Sequence, residues 1–485
     1  MTKLVLDLGE IQGDVFALLQ KDIENFVFFK IVDRDSFKEL VKLHVVGRIT
    51  TAQRAHQREL TIEHGREVGQ KVLDEFVSLN LGLTKDGLSQ LIGAQRVKLD
   101  PAFERGAADQ HTIEILNDPP CPTWMEKFVS DRIDGVFLIT GRYRSSVTSQ
   151  SAELVRLFGS SVKIIYSELG KTRPGAERGH EHFGFLDGIS QPGIRGLTRP
   201  LKPIYQPTQG LPGQDLLWPG EFVFGYPGQH RDDPYQEGPA TEMAAPWMRN
   251  GSYMVFRRLE QKVPEFRRFV REQASRLAMD PELLAARMFG RWKSGAPLER
   301  APLYDKPSQG RDETLNNDFR FGDDADQRKC PYAAHIRKVY PRDDVAPAEA
   351  QQHRIIRAGI PFGPEVAPGE TTTKYSRGLM FVCYQTSIER QFEYIQRQAN
   401  DPGFVGGKGR PGAGTVAPGF DPIIGQAANA GTRVMDEPFP NYPAGNRRTT
   451  LEIPRQFVVL TAAAYFFMPS ITALRTVLTC LPDAK

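Results

Sequence analysis

Asp134 to Thr140 reads DGVFLIT, and Ser151 to Phe158 reads SAELVRLF. The first run is dense in β-branched and aromatic side chains, and the second spaces its apolar residues as an amphipathic helix does. A strand followed by a helix is therefore the unit of construction. Working outward, Phe26 to Ile31 (FVFFKI) leads into Asp35 to Val41 (DSFKELV), and Phe76 to Leu83 (FVSLNLGL) leads into Lys85 to Leu91 (KDGLSQL). The second half repeats the pattern. Tyr253 to Phe256 (YMVF) precedes Val263 to Leu277, Leu379 to Tyr384 (LMFVCY) precedes Ser387 to Gln398, and Phe457 to Met468 (FVVLTAAAYFFM) precedes Ser470 to Leu478. With few strands per half and long linkers, the pattern predicts an α+β protein of two tandem units rather than one doubly wound sheet.

Between the halves lies Gly193 to Ala245, dense in Pro and Gly, which reads as an extended connection rather than a core element. The domains are accordingly expected at 1–205 and 206–485. A second Gly/Pro-rich segment, Asn400 to Gly419, sits between strong elements and reads as an ordered surface loop.

At 485 residues, 40% apolar and 25% charged, the chain is long enough for a large core and falls outside the disordered, collagen and coiled-coil classes. Its 62 basic and 59 acidic residues leave a net charge of +3, no argument for a nucleic-acid or membrane partner. The partner expected is a small molecule. Phe457 to Met468 is the longest apolar stretch and falls short of the roughly 20 residues that span a bilayer. Met1 to Asp14 carries acidic residues where a secretory signal needs an apolar run. Either an intracellular protein or a mature form with an added start Met fits that segment. Cys121, Cys330, Cys383 and Cys480 form no CxxC pair and read as small buried hydrophobes.

Three segments concentrate unusual chemistry. In Gly179 to Ile194, GHEHFGFLDGISQPGI, Asp187 stands among Phe183, Phe185, Leu186 and Ile189. Such a carboxylate is either desolvated and ready to move a proton, or closes an Asp-Gly turn. In Cys330 to Arg342, CPYAAHIRKVYPR, His335 follows two alanines that let a flat ring approach, and Arg337, Lys338 and Arg342 follow it. A neutral imidazole for iron beside cations for propionates suits a haem, although a lone histidine also serves structural ends. In Arg354 to Glu365, RIIRAGIPFGPE, Arg357 precedes a Gly-Ile-Pro turn that fixes its backbone, so it can face an anion or simply be solvated.

Taken together and in this order, GFLDG, AAHIRK-x-x-PR and RxGIPFGPE resemble the dye-decolorising (DyP-type) haem peroxidases, in particular their fungal-like branch. The resemblance runs from Glu10-Ile-Gln-Gly-Asp14 through Gly378-Leu-Met-Phe-Val-Cys-Tyr-Gln385 to Phe420-Asp-Pro-Ile-Ile-Gly-Gln426. It implies two tandem ferredoxin-like domains, with one haem b held between antiparallel sheet and helices. It further implies that His335 is the axial iron ligand, Asp187 the distal acid–base and Arg357 the distal arginine. Arg337 and Arg342 fall at expected haem contacts, and Ile189, Leu379 and Phe381 at its apolar surroundings. Asp421 is the candidate acceptor for the His335 Nδ1–H, with Glu393 as rival.

The activity implied is oxidation of dyes, phenols and other aromatic donors by hydrogen peroxide, in one-electron steps through a ferryl intermediate. A haem-binding or haem-transfer protein without turnover is the alternative, and release of iron from haem is a further one. The resemblance favours an extracellular protein over a cytoplasmic one. Tyr340, five residues after His335, is the candidate surface relay for bulky donors. Asp343, Asp344 and Glu349 form a candidate Mn(II) site, since hard oxygen ligands suit that ion.

Overall fold

A computed structural model of the chain describes residues 5–19, 21–69, 75–97, 99–201, 208–404, 418–426, 433–438 and 448–480. In the first half, β1 (Ile23–Ile31), β2 (Val77–Leu83), β3 (Gly135–Gly141) and β4 (Val162–Lys171) pair antiparallel in the order β4-β1-β3-β2. In the second half, β5 (Ser252–Gln261), β6 (Ile356–Arg357), β7 (Ile360–Phe362), β8 (Gly378–Gln385) and β9 (Val458–Met468) follow. There β7-β8-β5-β9 is the same order read from the other edge, with β6 also paired to β8. Each half is therefore a ferredoxin-like unit, as expected.

The two sheets join edge to edge. Gly170 of β4 pairs with Phe362 of β7, and Leu83 of β2 pairs with Phe467 of β9. Both exposed edges are thereby consumed, and the strands close into one barrel. Gly170 permits the first join, because a Cβ there would lie 2.4 Å from Ile360.

Strand alternation explains the two layers of core. On β1, Phe26 and Phe28 point into the barrel against Phe256 and Phe466. Val27 and Phe29 point out against the helices. There Phe29 meets Phe37 of α1 (Arg34–Leu40), and Phe137 meets Phe158 of α3 (Arg144–Phe158). Both faces are buried, which is why these strands read as continuous apolar runs. Asp33 caps α1 and Thr84 caps α2 (Lys85–Ile92), each accepting backbone N–H groups of the first turn. Replacing Phe28 with alanine would cost about 3–5 kcal/mol.

Gly193 to Ala245 departs from the expectation of a mere connection. Ile194, Leu217, Phe222, Val223 and Tyr226 are buried in the core that fills the barrel. Pro and Gly there report backbone turns, while the apolar residues between them supply the burial. The expected boundary at 205/206 lies outside the described residues, as do residues 405–417 of the second Gly/Pro-rich segment. Cys330 and Cys383 are buried as expected, but Cys480 is exposed near the chain end. No helix among the described residues is long and apolar enough to cross a membrane.

Candidate active site

Outward-facing residues of the second sheet form one wall of a cavity of about 230 Å³. Arg257 and Leu259 of β5 lie in register with Phe381 and Leu379 of β8, and all four line it. The opposite walls come from the loop carrying Asp187, from Phe289, and from α5 (His335–Val339).

His335 opens α5 behind the fully buried Ala333 and Ala334. Its Nδ1 lies 2.8 Å from Oδ2 of Asp421, itself fully buried. The other oxygen of Asp421 accepts the backbone N–H groups of Ile423 (2.8 Å) and Ile424 (3.0 Å), which fixes the carboxylate. A carboxylate only accepts, so Nδ1 carries the proton and Nε2 keeps its lone pair for the cavity. Glu393, the rival, is taken by Tyr465 Oη at 3.2 Å and Arg105 at 3.5 Å.

Asp187 sits on a loop wound around a second carboxylate. Glu181 accepts the N–H groups of Phe183 and Phe185, both at 2.8 Å, and the side-chain amide of Gln261 at the end of β5. Gly184 and Gly188 bracket the loop at φ +100° and +84°, values that favour glycine. Arg357, the last residue of β6, donates Nη1 to Asp187 Oδ1 at 2.8 Å. Its backbone is held as well, since its N–H donates to Gln191 Oε1 at 3.1 Å and its carbonyl accepts from Gln191 Nε2. Burial pushes the Asp187 carboxyl up, but the Arg357 charge and the Gly188 N–H outweigh it and hold it below the usual aspartate range. Its side chain stays 42% accessible because it faces the cavity.

An imidazole held from behind by a buried carboxylate and an ionised carboxylate on an arginine thus share one cavity. The model of the DyP dimeric alpha+beta barrel domain matches residues 10–174, and that of the Dyp-type peroxidase C-terminal domain matches residues 229–404. The chain is 35% identical over 491 residues to the dye-decolorizing peroxidase msp1 of Mycetinis scorodonius, covering 98% of this chain and 88% of that one. The chain belongs to the DyP-type peroxidase family.

Among solved structures of the family, an ancestral D-type dye-decolorizing peroxidase superposes with a TM-score of 0.84 at 37% identity, covering 98% of this chain and all of that one. A dye-decolorizing peroxidase in complex with 2,6-dimethoxyphenol gives 0.80 at 34%, with the same coverage. DyP-type peroxidases depend on haem, and the residues present fit that group. Ile189, Leu379 and Phe381 line the cavity. So does Arg342, whose guanidinium is held by the carbonyls of Asn317 and Phe319, both at 3.0 Å. Burial and the like charges of Arg342 and Arg357 depress Arg291, another lining residue, to about 9. Cations gathered on the cavity lining suit the carboxylates of a haem.

Arg337 does not belong to this set, contrary to expectation. Its guanidinium is paired with Asp344 at 2.6 Å and Asp324 at 3.3 Å and stacks on Tyr332, so it braces the segment beneath α5. The three carboxylates expected to hold Mn(II) also separate. Asp343 accepts the N–H groups of Phe321 and Gly322, Asp344 pairs with Arg337, and Glu349 accepts from Tyr394 Oη. Among the described residues no group of three His, Cys, Asp or Glu side chains could hold a metal ion. Nearness in sequence did not make these side chains converge. Tyr340 lines the cavity and is half-buried, its hydroxyl donating to Asp215 Oδ2 at 2.6 Å.

Arg291, Gln191, Glu181 and Asp215 escaped the sequence reading. Glu181 and Gln191 lie inside the quoted GHEHFGFLDGISQPGI, and their spacing from Asp187 was the available signal. Nothing local marks Arg291, which stands in Phe289-Gly-Arg-Trp292; only tertiary contact brings it to the cavity.

Proposed function

We propose that this peroxidase carries haem b, whose iron His335 Nε2 would hold, and that it uses hydrogen peroxide to oxidise dyes, phenols and other aromatic donors. Bound there, the haem iron supplies the redox centre that accepts oxidising equivalents from peroxide and passes them on one electron at a time. The Asp421 carboxylate fixes the His335 tautomer and raises the basicity of the ligating nitrogen.

Asp187 is the proton carrier in this reading. Held ionised by Arg357, it takes a proton from hydrogen peroxide and returns it to the departing oxygen, which leaves as water. Arg357 offsets the negative charge gathering on that oxygen, a role worth about 2.7–4 kcal/mol per donor in comparable sites. Leu379 and Phe381 make the lining of the approach apolar. Over a full cycle one hydrogen peroxide becomes two waters and two donor molecules each lose one electron and one proton.

The observation that carries the proposal is that His335, backed by the buried Asp421, lines the same cavity as Asp187 and Arg357. A haem carrier without turnover has no need of the second pair. The test is peroxide-dependent oxidation of 2,6-dimethoxyphenol by the haem-loaded protein. Saturable turnover supports the reading, and stable haem binding without turnover would return it to the carrier.

A further inference from the structure

Arg357 is held by its backbone as well as by its charge. It stands opposite Cys383 of β8, and the next residue, Ala358, donates its N–H to the Val382 carbonyl of β8 at 2.9 Å. Successive residues of an antiparallel strand direct their backbone groups to opposite edges, so those of Arg357 point away from β8. Among the described residues no further strand pairs with β6 on that side. Left bare, its N–H and carbonyl would be unpaired groups beside the cavity.

A side chain takes the place of the missing strand. Gln191 Oε1 accepts the Arg357 N–H at 3.1 Å, while Gln191 Nε2 donates to the Arg357 carbonyl. An amide suits this role because it carries an acceptor and a donor on one planar group. Gln191 lies four residues after Asp187 on the same loop, and that loop is pinned along its length. The Asp187 N–H donates to the Gly179 carbonyl at 3.0 Å, the Ser190 carbonyl accepts from Arg354 at 2.9 Å, and the Gln191 carbonyl accepts from Gln214 at 3.2 Å. Past Arg357, the Ala358 carbonyl accepts from Lys21 Nζ at 2.9 Å, and Lys21 is paired with the buried Asp14 and Glu24. Apart from the ion pair itself, Gln191 is thus the direct tie between the loop of Asp187 and Arg357.

We propose that Gln191 is a positioning residue for the peroxide reaction: by gripping the Arg357 backbone from the Asp187 loop, it sets the guanidinium against the Asp187 carboxylate. This rests on the peroxidase reading above. Gln191 stands behind the cavity lining rather than in it, so it acts through Arg357. Without that grip the guanidinium can swing from Asp187, and burial then pushes the Asp187 carboxyl up against a weaker opposing charge.

Two variants test this. Gln191→Met keeps the length of the side chain and removes both polar ends, and Gln191→Asn keeps the amide on a stem one carbon too short to bridge. In the cofactor-free protein, hydrogen–deuterium exchange of a peptide spanning residues 355–360 should quicken severalfold in both, because the Arg357 N–H loses its acceptor. In the haem-loaded enzyme the second-order rate constant with hydrogen peroxide should fall by about tenfold, the scale of losing one or two neutral hydrogen bonds. Its acid limb should also move to higher pH, which a smaller fraction of intact enzyme would not cause. In an Arg357→Leu background the same substitutions should cost less than about twofold, since the group they position is gone. If Gln191→Met does not fold, Gln191→Asn decides alone. Unchanged exchange, a wild-type rate and acid limb, or a full tenfold loss in the Arg357→Leu background would overturn this proposal and leave the peroxidase reading standing. A wild type that does not react with peroxide would overturn both.

Discussion

Arg357 Nη1 lies 2.8 Å from Asp187 Oδ1, although 170 residues separate the two in the chain. The glycine-bracketed loop supplies one partner and β6 the other, so the pair exists only in the folded barrel. Asp187→Asn and Arg357→Leu should each slow the reaction with hydrogen peroxide by at least about 10²-fold. Because the two share one hydrogen bond, the double variant should lose less than the product of the single losses. Stopped-flow rate constants for the four proteins check this, and fully multiplicative losses would show that the residues act separately.

The same pair fixes a pH dependence. Burial raises the Asp187 carboxyl and Arg357 more than reverses it, so its folded pKa lies below the unfolded one. Such a carboxylate is ionised and paired above the usual aspartate range, and loses the pairing as pH falls through its depressed value. Peroxide reactivity should therefore persist into mildly acid solution. In Arg357→Leu the residual rate should show its acid limb at higher pH, since burial is then unopposed. A pH profile of the second-order rate constant decides, and an acid limb that moves downward would contradict the assignment.

Asp421 makes a separable contribution through His335. Asp421→Asn can present an amide instead of an acceptor to Nδ1, releasing the tautomer and the ring orientation. Haem affinity or activity should drop by about 10–100-fold, the usual cost of losing such a partner. Glu393→Gln, at the rival carboxylate, should leave haem affinity near that of the wild type. Titration of both variants with haemin checks the contrast.

His182 predicts an acid liability. It is buried, its Nε2 faces the Phe362 carbonyl at 2.8 Å, and its Nδ1 has no partner among the described residues. Burial holds its pKa down at about 4, against an unfolded value near 6.5. The folded state thus favours the neutral ring, and stability falls as pH drops from about 6.5 to about 4, by roughly 3 kcal/mol for the site. His182→Gln, which keeps a donor toward Phe362, should flatten that slope in urea unfolding at pH 7 and pH 4.5. An equal slope in both proteins would assign the loss elsewhere.

The elements that organise the fold were readable because their signals are local. The apolar run at Asp134 to Thr140 and the periodic one at Ser151 to Phe158 became β3 and α3. The polar helix Ala52–Glu67 carries almost no apolar stripe and gave no such signal. At the site, Asp187, His335 and Arg357 stood out by their neighbours. Arg337 was misplaced because a buried arginine serves an ion-pair network as readily as a ligand. Asp343, Asp344 and Glu349 looked like a cluster only along the chain, since short helical turns aim their side chains apart.

The account rests on one cavity holding a haem through His335. Titrating the cofactor-free protein with haemin, while following the absorption spectrum, measures this most directly in the wild type and in His335→Ala. The wild type should bind one haem per chain with an intense Soret band, and the variant should bind little. A wild type that takes up no haem, or a variant with the same stoichiometry and spectrum, would contradict it.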